Sequence, residues 1–363
     1  MSRAAQRLGI NLLLATMSLG VSLGAAEWAA RRFDLSKTWA SYVDSPVFVS
    51  PDMVTPDVIG YRRLPHGTWA GPFGPTIETN REGFRDAEPP DSSTTGTLRI
   101  LYIGDSVTEG YGVETAERYA ELHAAEVARA LGRAVRPIVM AIAGQSTVDE
   151  MAILSGYGLR TGPDLVVLQA GWGDVFENGS RRTEFTAHRW SEPRAPGAER
   201  SARPDDAGGL KNYLRAHSAL YLMLAEARNT VRLRRGASSG ELDRIAALAP
   251  ADLAFSAAVL AELADTLAAH RIPLLVAYFP VESEVLSPDT TAGAAGRRWL
   301  SAAVGGRPGV ALADLRAALR PGEGEGPPFL DNVHPTVEGH ARAAAGLVGA
   351  ALGLIRSQGP PYL

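Results

Sequence analysis

Short apolar runs alternate with amphipathic stretches of helical length from residue 98 to the end of the chain. The apolar runs that predict strands are residues 98–103, 137–143, 164–171, 272–280 and, more weakly, 309–315. Apolar residues at spacings of three and four predict helices at residues 117–131, 210–235, 251–270 and 336–355. Strands that alternate with helices are typical of a parallel, doubly wound sheet. We therefore expect an α/β domain in this part of the chain.

Two different segments precede that pattern. Residues 8–26 carry no charge and follow Arg3 and Arg7, which predicts an N-terminal membrane anchor or signal segment at residues 1–32. We favour an uncleaved anchor because the apolar stretch is longer than the core of a usual signal. Residues 33–96 are rich in proline and glycine, which predicts a turn-rich, short-stranded segment and linker. The main domain is then expected at residues 97–357, with a helical and loop insertion at about 176–250.

Composition excludes several kinds of function. The chain of 363 residues has no cysteine, which excludes a disulfide framework, a thiolate metal site and a cysteine nucleophile. Its net charge is −4, and its arginines are scattered along the chain, so we expect no nucleic-acid partner.

Small and acidic residues follow three of the predicted strands. They are Gly104-Asp105-Ser106, Gly144 and the run Gly171–Asp174. Parallel sheets bind ligands at the carboxyl ends of their strands, so these loops are expected to converge. Ser106 itself has two interpretations, as part of an ordinary turn into a capped helix or as a serine raised for nucleophilic attack.

One of the seven histidines has an acid arranged beside it. His334 follows Asp331 by three residues in FLDNVHPTVEGH, so one tight turn could present both side chains. The alternative is a simple helix start marked by Asp and Pro. The residues alone leave both interpretations open.

These blocks resemble those of a known family. GDSVTEG, the glycine of AIAGQS, GWGD and DNVHP occur in the order and approximate spacing of the GDSL or SGNH hydrolases, over about residues 98–350. The resemblance implies a five-strand parallel sheet in a flavodoxin-like, three-layer sandwich. It also implies an extracytoplasmic lipase, carbohydrate esterase or glycan O-acyltransferase. With the apolar N-terminal segment, NREGFRD resembles an anchored bacterial subgroup, many of whose members are linked to surface polysaccharide.

The family pattern implies roles for particular residues. Ser106 is the expected nucleophile, His334 the general base and acid, and Asp331 the residue that orients the imidazole. The backbone N–H groups of Ser106 and Gly144 are the expected oxyanion donors. Asp105, Trp172 and Asp174 are expected to line the site.

One block departs from the family pattern. The family has an asparagine, the third oxyanion donor, where this chain has Gly173. Loss of such a donor costs about 10²–10³ in kcat. The candidates to replace it are the side chains of Trp172, Asn178 and Gln145 and the backbone N–H of Gly173.

We expect a serine-dependent acyl esterase that acts on an O-acyl or O-acetyl group of a glycan or similar ester. Alternatives are an O-acyltransferase of extracytoplasmic polysaccharide and a weakly catalytic member that binds glycan or a polysaccharide-assembly partner. A metal site built from Asp105, Asp174, Asp331 and His334 is a further interpretation, but no compact ligand motif supports it. No cofactor and no metal are expected. The expected partners are an acylated substrate and, through the N-terminal helix, a membrane. The catalytic domain is then expected on the extracytoplasmic side. Cleavage of the N-terminal segment would instead give a secreted protein.

Overall fold

A computed structural model describes the chain in ranges that cover most of the main domain. These are residues 3–33, 54–55, 62–63, 65–70, 75–89, 96–180, 214, 218–221, 223–224, 247–286, 291–326 and 328–359. The chain divides into two compact units, residues 1–45 with 201–237 and residues 46–200 with 238–363. The helix expected at 210–235 lies largely outside the described residues.

The first unit is built around the N-terminal helix α1 (Arg3–Arg32). Residues Gly9–Arg32 are long and apolar enough to cross a membrane, a property that signal sequences share. Near the end of α1, the Glu27 carboxylate accepts hydrogen bonds from Ser218 Oγ (2.8 Å) and from the backbone N–H groups of Ala219 (2.9 Å) and Leu220 (3.0 Å). The helix therefore has fixed contacts with a segment about 190 residues later in the chain.

The second unit begins with short antiparallel pairs in the segment expected to be turn-rich. Strand β1 (Val54–Thr55) pairs with β2 (Arg62–Arg63), and β3 (Thr68–Ala70) pairs with β4 (Thr76–Glu78). Asn80, Phe84 and the residues around them then lead toward the main sheet through tight turns.

Five parallel strands form that sheet in the order β6-β5-β7-β8-β9. The strands are β5 (Leu98–Gly104), β6 (Val135–Ala141), β7 (Leu165–Ala170), β8 (Leu274–Tyr278) and β9 (Val310–Asp314). Every residue of β7 is buried, as expected for a strand covered on both faces. The expected five-strand α/β fold is confirmed. Strand β8 is shorter than the apolar run 272–280 because Pro273 and Pro280, which lack an N–H, bracket it.

Helices cover both faces of the sheet. The described helices of this unit are α2 (Ser106–Glu109), α3 (Tyr119–Leu131), α4 (Thr147–Gly156), α5 (Trp172–Ser180), α6 (Pro250–Ala269), α7 (Glu282–Leu286), α8 (Thr291–Val304) and α9 (Val337–Ser357). One core layer joins the sheet to α4, α6 and α8, and the other joins it to α3 and α9. The result is a three-layer sandwich whose loops after β5, β6 and β7 share one edge.

Candidate active site

The turn after β5 carries Ser106 at the first position of helix α2. Asp105 caps this helix, because its Oδ1 accepts a hydrogen bond from Val107 N (2.8 Å). A Cβ atom at Gly104 would collide with the side chains of Thr108 and Gln169, so the strand must end on glycine. The two interpretations of Gly-Asp-Ser are therefore compatible: the turn is a capped helix start, and it brings Ser106 to the sheet edge.

His334 lies against Ser106, although 228 positions separate them. Its Nε2 is 2.8 Å from Ser106 Oγ, and its Nδ1 is 2.7 Å from Asp331 Oδ2. The other Asp331 oxygen accepts the backbone N–H groups of Val333 (2.8 Å) and His334 (2.7 Å). A tight turn thus fixes the carboxylate and the imidazole in one geometry. Thr336 caps α9 directly afterwards, so the helix-start signals are also present.

Hydrogen bonding keeps Asp331 ionised. Burial raises the pKa of this carboxyl, but the hydrogen bonds and charge of His334 and the backbone N–H donors outweigh burial and lower the pKa overall. A carboxylate paired with Nδ1 leaves Nε2 available to accept a proton from Ser106.

Tyr111 covers one face of this histidine, which the sequence did not indicate. The two rings stack with centroids 4.0 Å apart and planes at 22°. Gly110 ends α2 in the left-handed conformation (φ 86°), and Tyr111 N then donates to Ser106 O (2.9 Å). Ser106 and the aromatic ring that stacks on His334 therefore belong to one short segment.

The expected oxyanion loops follow β6 and β7, the two strands that flank β5. Gly144 has φ 76°, a backbone conformation that favours glycine, in the turn before α4. Gly173 lies in the first turn of α5, and a Cβ added to it would have no atom within 4 Å. The space for a larger residue is present, although the family's asparagine is not.

The structure separates the candidates for the missing donor. Both amide atoms of Asn178 are used elsewhere: Oδ1 accepts from Val148 N (3.1 Å) and Nδ2 donates to Ser256 Oγ (3.2 Å). Gln145 is buried, and its amide atoms have no hydrogen-bond partner within the described part of the chain. Trp172 is also buried and lines a pocket beside the site.

Asp105 and Asp174 hold the loops around Ser106. Asp174 Oδ2 accepts a hydrogen bond from Gly171 N (2.7 Å), and Asp105 N donates to Gln169 Oε1 (3.0 Å) on β7. Burial, with a contribution from Asp105, raises the pKa of Asp174 to about 7. Burial and the nearby Asp174 also raise the pKa of Glu150, which is fully buried on α4. Two buried acids with raised pKa values therefore lie near the expected oxyanion loops.

A small pocket of about 70 Å³ opens next to the nucleophile turn and the histidine loop. Asp105, Gln169 and Asp174 contribute its polar part. Its apolar wall consists of Val107, Trp172, Phe279, Pro280, Val281 and Val333.

The other described histidines lie elsewhere. His123 Nδ1 is 2.7 Å from Tyr102 OH, and His340 Nδ1 accepts from Tyr119 N (3.2 Å), both in the core. Burial lowers their pKa values to about 4 and about 3, so both are neutral. His188, His217 and the arginines at 181, 182 and 189 lie outside the described residues. Within the described ranges, no three or more His, Asp or Glu side chains are grouped to hold a metal ion.

Comparison with known proteins found one matching family. The profile of the GDSL-like lipase/acylhydrolase family matches residues 102–342. No curated protein sequence matches the chain. Solved structures similar to it include TesA (15% identity, covering 71% of this chain and 99% of that chain, TM-score 0.43). Another is a GDSL-like lipase from Bacteroides thetaiotaomicron (16% identity, covering 70% of this chain and 88% of that chain, TM-score 0.36). A third is an acetyl xylan esterase, AlAXEase (15% identity, covering 70% of this chain and 99% of that chain, TM-score 0.39).

Proposed function

Because the chain belongs to the GDSL-like lipase/acylhydrolase family, we propose that it cleaves esters through an acyl-enzyme on Ser106. The observation that carries this proposal is the continuous contact from Ser106 Oγ to His334 Nε2 (2.8 Å) and from His334 Nδ1 to Asp331 (2.7 Å). A nucleophile, a base within hydrogen-bond reach and a group that orients the base are the requirements for serine catalysis.

The first half of the reaction forms the acyl-enzyme. Ser106 Oγ attacks the ester carbonyl carbon while His334 Nε2 takes the hydroxyl proton, and the carbonyl oxygen becomes an oxyanion. The oxyanion then reforms the carbonyl, the bond to the alcohol oxygen breaks, and His334 returns the proton to the leaving alcohol. Asp331, held ionised, stabilises the imidazolium between these two proton transfers.

In the second half of the reaction, water attacks the acyl-enzyme, and His334 again takes and returns one proton. His334 takes a proton from water as it attacks the acyl carbon, and the proton then passes to Ser106 Oγ as the acyl group leaves as an acid. A glycan hydroxyl in place of water would give O-acyl transfer with the same residues. Adding a sugar acceptor to the esterase assay and detecting its ester would distinguish transfer from hydrolysis.

Backbone N–H groups supply the oxyanion hole in this proposal. Ser106 and Gly144 each provide one donor, and Gly173 provides the third. Gly173 lies in the first turn of α5, where N–H groups lack an acceptor within the helix. The partial positive charge of a helix N-terminus also favours an anion there.

We propose a short acyl group as the substrate class, because the pocket is lined by Asp105 and Val107, the two neighbours of Ser106, and by Val333, the neighbour of His334. The pocket between the nucleophile turn and the histidine loop has about 70 Å³ and a mostly apolar wall. Such a space suits an acetyl or similarly small group, which agrees with an O-acetyl ester of a glycan. Activity that rises from acetate to octanoate esters of p-nitrophenol would contradict this assignment.

We assign the N-terminal helix as a retained membrane anchor with the catalytic domain on the extracytoplasmic side. The apolar stretch of residues 8–26 is longer than the core of a usual signal, and α1 continues through it without a break to Arg32. The intact mass of the purified membrane form should therefore include residues 1–32.

The test of catalysis is covalent labelling of the full chain in detergent with a small fluorophosphonate. Intact mass should show one adduct on the wild-type protein, none on Ser106→Ala and slow labelling of His334→Ala. Ser301→Ala, a change at an exposed serine of α8, is the matched control and should label like wild type. A folded wild-type protein that takes no adduct would contradict the esterase proposal and favour a protein that only binds its ligand.

A further inference from the structure

The carboxylate of Glu109, the last residue of α2, connects three separate parts of the chain. Its Oε1 accepts from Arg63 Nε (2.6 Å), and its Oε2 accepts from Arg63 Nη2 (2.8 Å) and from the backbone N–H of Ala143 (2.9 Å). Both Glu109 and Arg63 are only 3% exposed. A paired, bidentate buried ion pair is geometrically demanding, so it fixes the position of its carboxylate.

Glu109 links the turn that carries Ser106 to the loop that carries Gly144. Glu109 follows Ser106 within the same short helix, and Ala143 directly precedes Gly144. We propose that Glu109 and Arg63 form a positioning pair that holds the Gly144 loop against the Ser106 turn and so sets the oxyanion hole. This proposal rests on the esterase function proposed above.

The contact with Glu109 lies just beyond the point where the strand pairing ends. The pairing of β5 with β6 ends at Gly104 and Ala141, two residues before Ala143. Beyond that point, the Ala143 N–H donates to the Glu109 carboxylate (2.9 Å). An oxyanion donor displaced by even about 1 Å loses much of its effect on the transition state.

Arg63 is itself held by the turn-rich segment. Gly83 (φ 81°) packs so closely on the backbone of Arg63 that a Cβ atom there would collide with the Arg63 carbonyl. Arg85, two residues later, donates to Gly110 O (2.7 Å) and Glu109 O (3.3 Å). The segment before the main domain thus contacts the nucleophile turn through both the side chain and the backbone of Glu109.

Two double variants test whether the acceptor at position 109 sets the reaction rate. Arg63→Met/Glu109→Gln keeps an amide oxygen for the Ala143 N–H, whereas Arg63→Met/Glu109→Met has the same length and offers no acceptor. Both remove the ion pair as a whole, which a protein tolerates better than the loss of one partner. The measurements are kcat and KM for p-nitrophenyl acetate, the affinity for phenylboronic acid, which forms a tetrahedral serine adduct, and thermal unfolding.

The Glu109→Met double variant should have a kcat about 10- to 100-fold below that of the Glu109→Gln double variant, with equal KM. Its affinity for the boronic acid should fall by the same factor, because the adduct also places an oxygen in the oxyanion hole. Equal kcat in two folded double variants would overturn the proposal. A merely structural role would change the melting temperature without this kcat difference.

A third variant covers the case in which neither double variant folds. Arg63→Lys keeps the positive charge but cannot make the bidentate pair that fixes the Glu109 carboxylate, so kcat should fall by about 3- to 10-fold at unchanged KM. A folded Arg63→Lys protein with wild-type kcat would overturn the positioning role of the pair. If the Ser106→Ala variant hydrolysed p-nitrophenyl acetate at the wild-type rate, the proposed esterase function itself would be contradicted.

Discussion

The two sides of Ser106 are built in different ways. On the proton-transfer side, Asp331 and His334 belong to one turn, and four short hydrogen bonds fix the acid, the base and the serine. On the expected oxyanion side, the turns around Gly144 and Gly173 come from separate strands; Glu109 contacts Ala143 beside the first turn, and Asp174 binds Gly171 N in the second. The first side is local in sequence, whereas the second depends on packing between distant segments.

Charge also differs between the two sides. Hydrogen bonds lower the pKa of Asp331 and keep it ionised, although burial alone would raise the pKa. Burial raises the pKa of Asp174 to about 7. A fixed negative charge therefore stands behind the imidazole, where positive charge develops in the proposed reaction. Buried acids that favour the neutral form lie on the side where negative charge would develop.

The largest effect should come from the proton-transfer side. Asp331→Asn should lower kcat for p-nitrophenyl acetate by about 10³–10⁴-fold, because an amide neither fixes the Nδ1–H tautomer nor stabilises the imidazolium. Asp265→Asn makes the same chemical change at an exposed ion pair and should leave kcat unchanged. A folded Asp331→Asn protein within about tenfold of wild type would show that His334 needs no carboxylate.

The fold and the proton-transfer side could be predicted because their signals are local. Strands such as Leu165–Ala170 are continuous apolar runs, and the alternation with helices indicates a parallel sheet. Asp331 and His334 are three positions apart, so their contact is a property of one turn. The carboxyl edge of the sheet then brings that turn and Ser106 together.

The remaining parts of the site depend on contacts between distant positions. Glu109 and Arg63 are separated by 46 positions, and no periodicity in the sequence relates them. Asn178 looked available as a donor, but a fold-dependent contact with Ser256 uses its amide. The tyrosine of GYG could have been singled out as an aromatic residue beside the nucleophile block, yet its contact with His334 requires the left-handed turn at Gly110.

The next effect, on stability, tests the charge of the oxyanion side. The folded state keeps a proton on Asp174 up to a pKa of about 7, whereas the ordinary value is 3.8. Between these values the folded state binds the extra proton, so the stability contributed by Asp174 is lost as pH rises. Asp331 has the opposite effect on stability. Its pKa is lowered in the folded state, so the stability that it contributes is present above its ordinary pKa and is lost as pH falls.

Asp174→Asn should therefore flatten the pH dependence of unfolding. From pH 5 to pH 8, wild type should lose about 2–3 kcal/mol of unfolding free energy relative to the variant, measured in urea. Subtracting the unfolding free energies of the two proteins removes the contributions of the other titrating groups to a first approximation. Asp105 and Glu150 face the same region as Asp174. Parallel pH curves for the two proteins would show that Asp174 is ionised throughout this range.

A smaller gain in activity should follow from filling the open space at Gly173. Gly173→Asn adds a side-chain amide, where no atom lies within 4 Å of the new Cβ, to the three proposed backbone donors, and kcat should rise by about tenfold because the oxyanion gains a further hydrogen bond. Gly173→Leu is of similar size but has no donor, so it should give no increase. An asparagine variant no faster than wild type would mean that a side-chain donor adds nothing to the three backbone donors.

The smallest effect should come from the stacked ring of Tyr111. An aromatic face against His334 favours the imidazolium that forms in the transition state, which is worth about 0.5–1 kcal/mol at an accessible site. Tyr111→Leu should therefore lower kcat by about two- to fivefold, and Tyr111→Phe, which keeps the ring, should not. If both variants lose activity equally, the hydroxyl group and not the ring is responsible. If neither does, the turn that carries Asp331 positions His334 without help from the nucleophile segment.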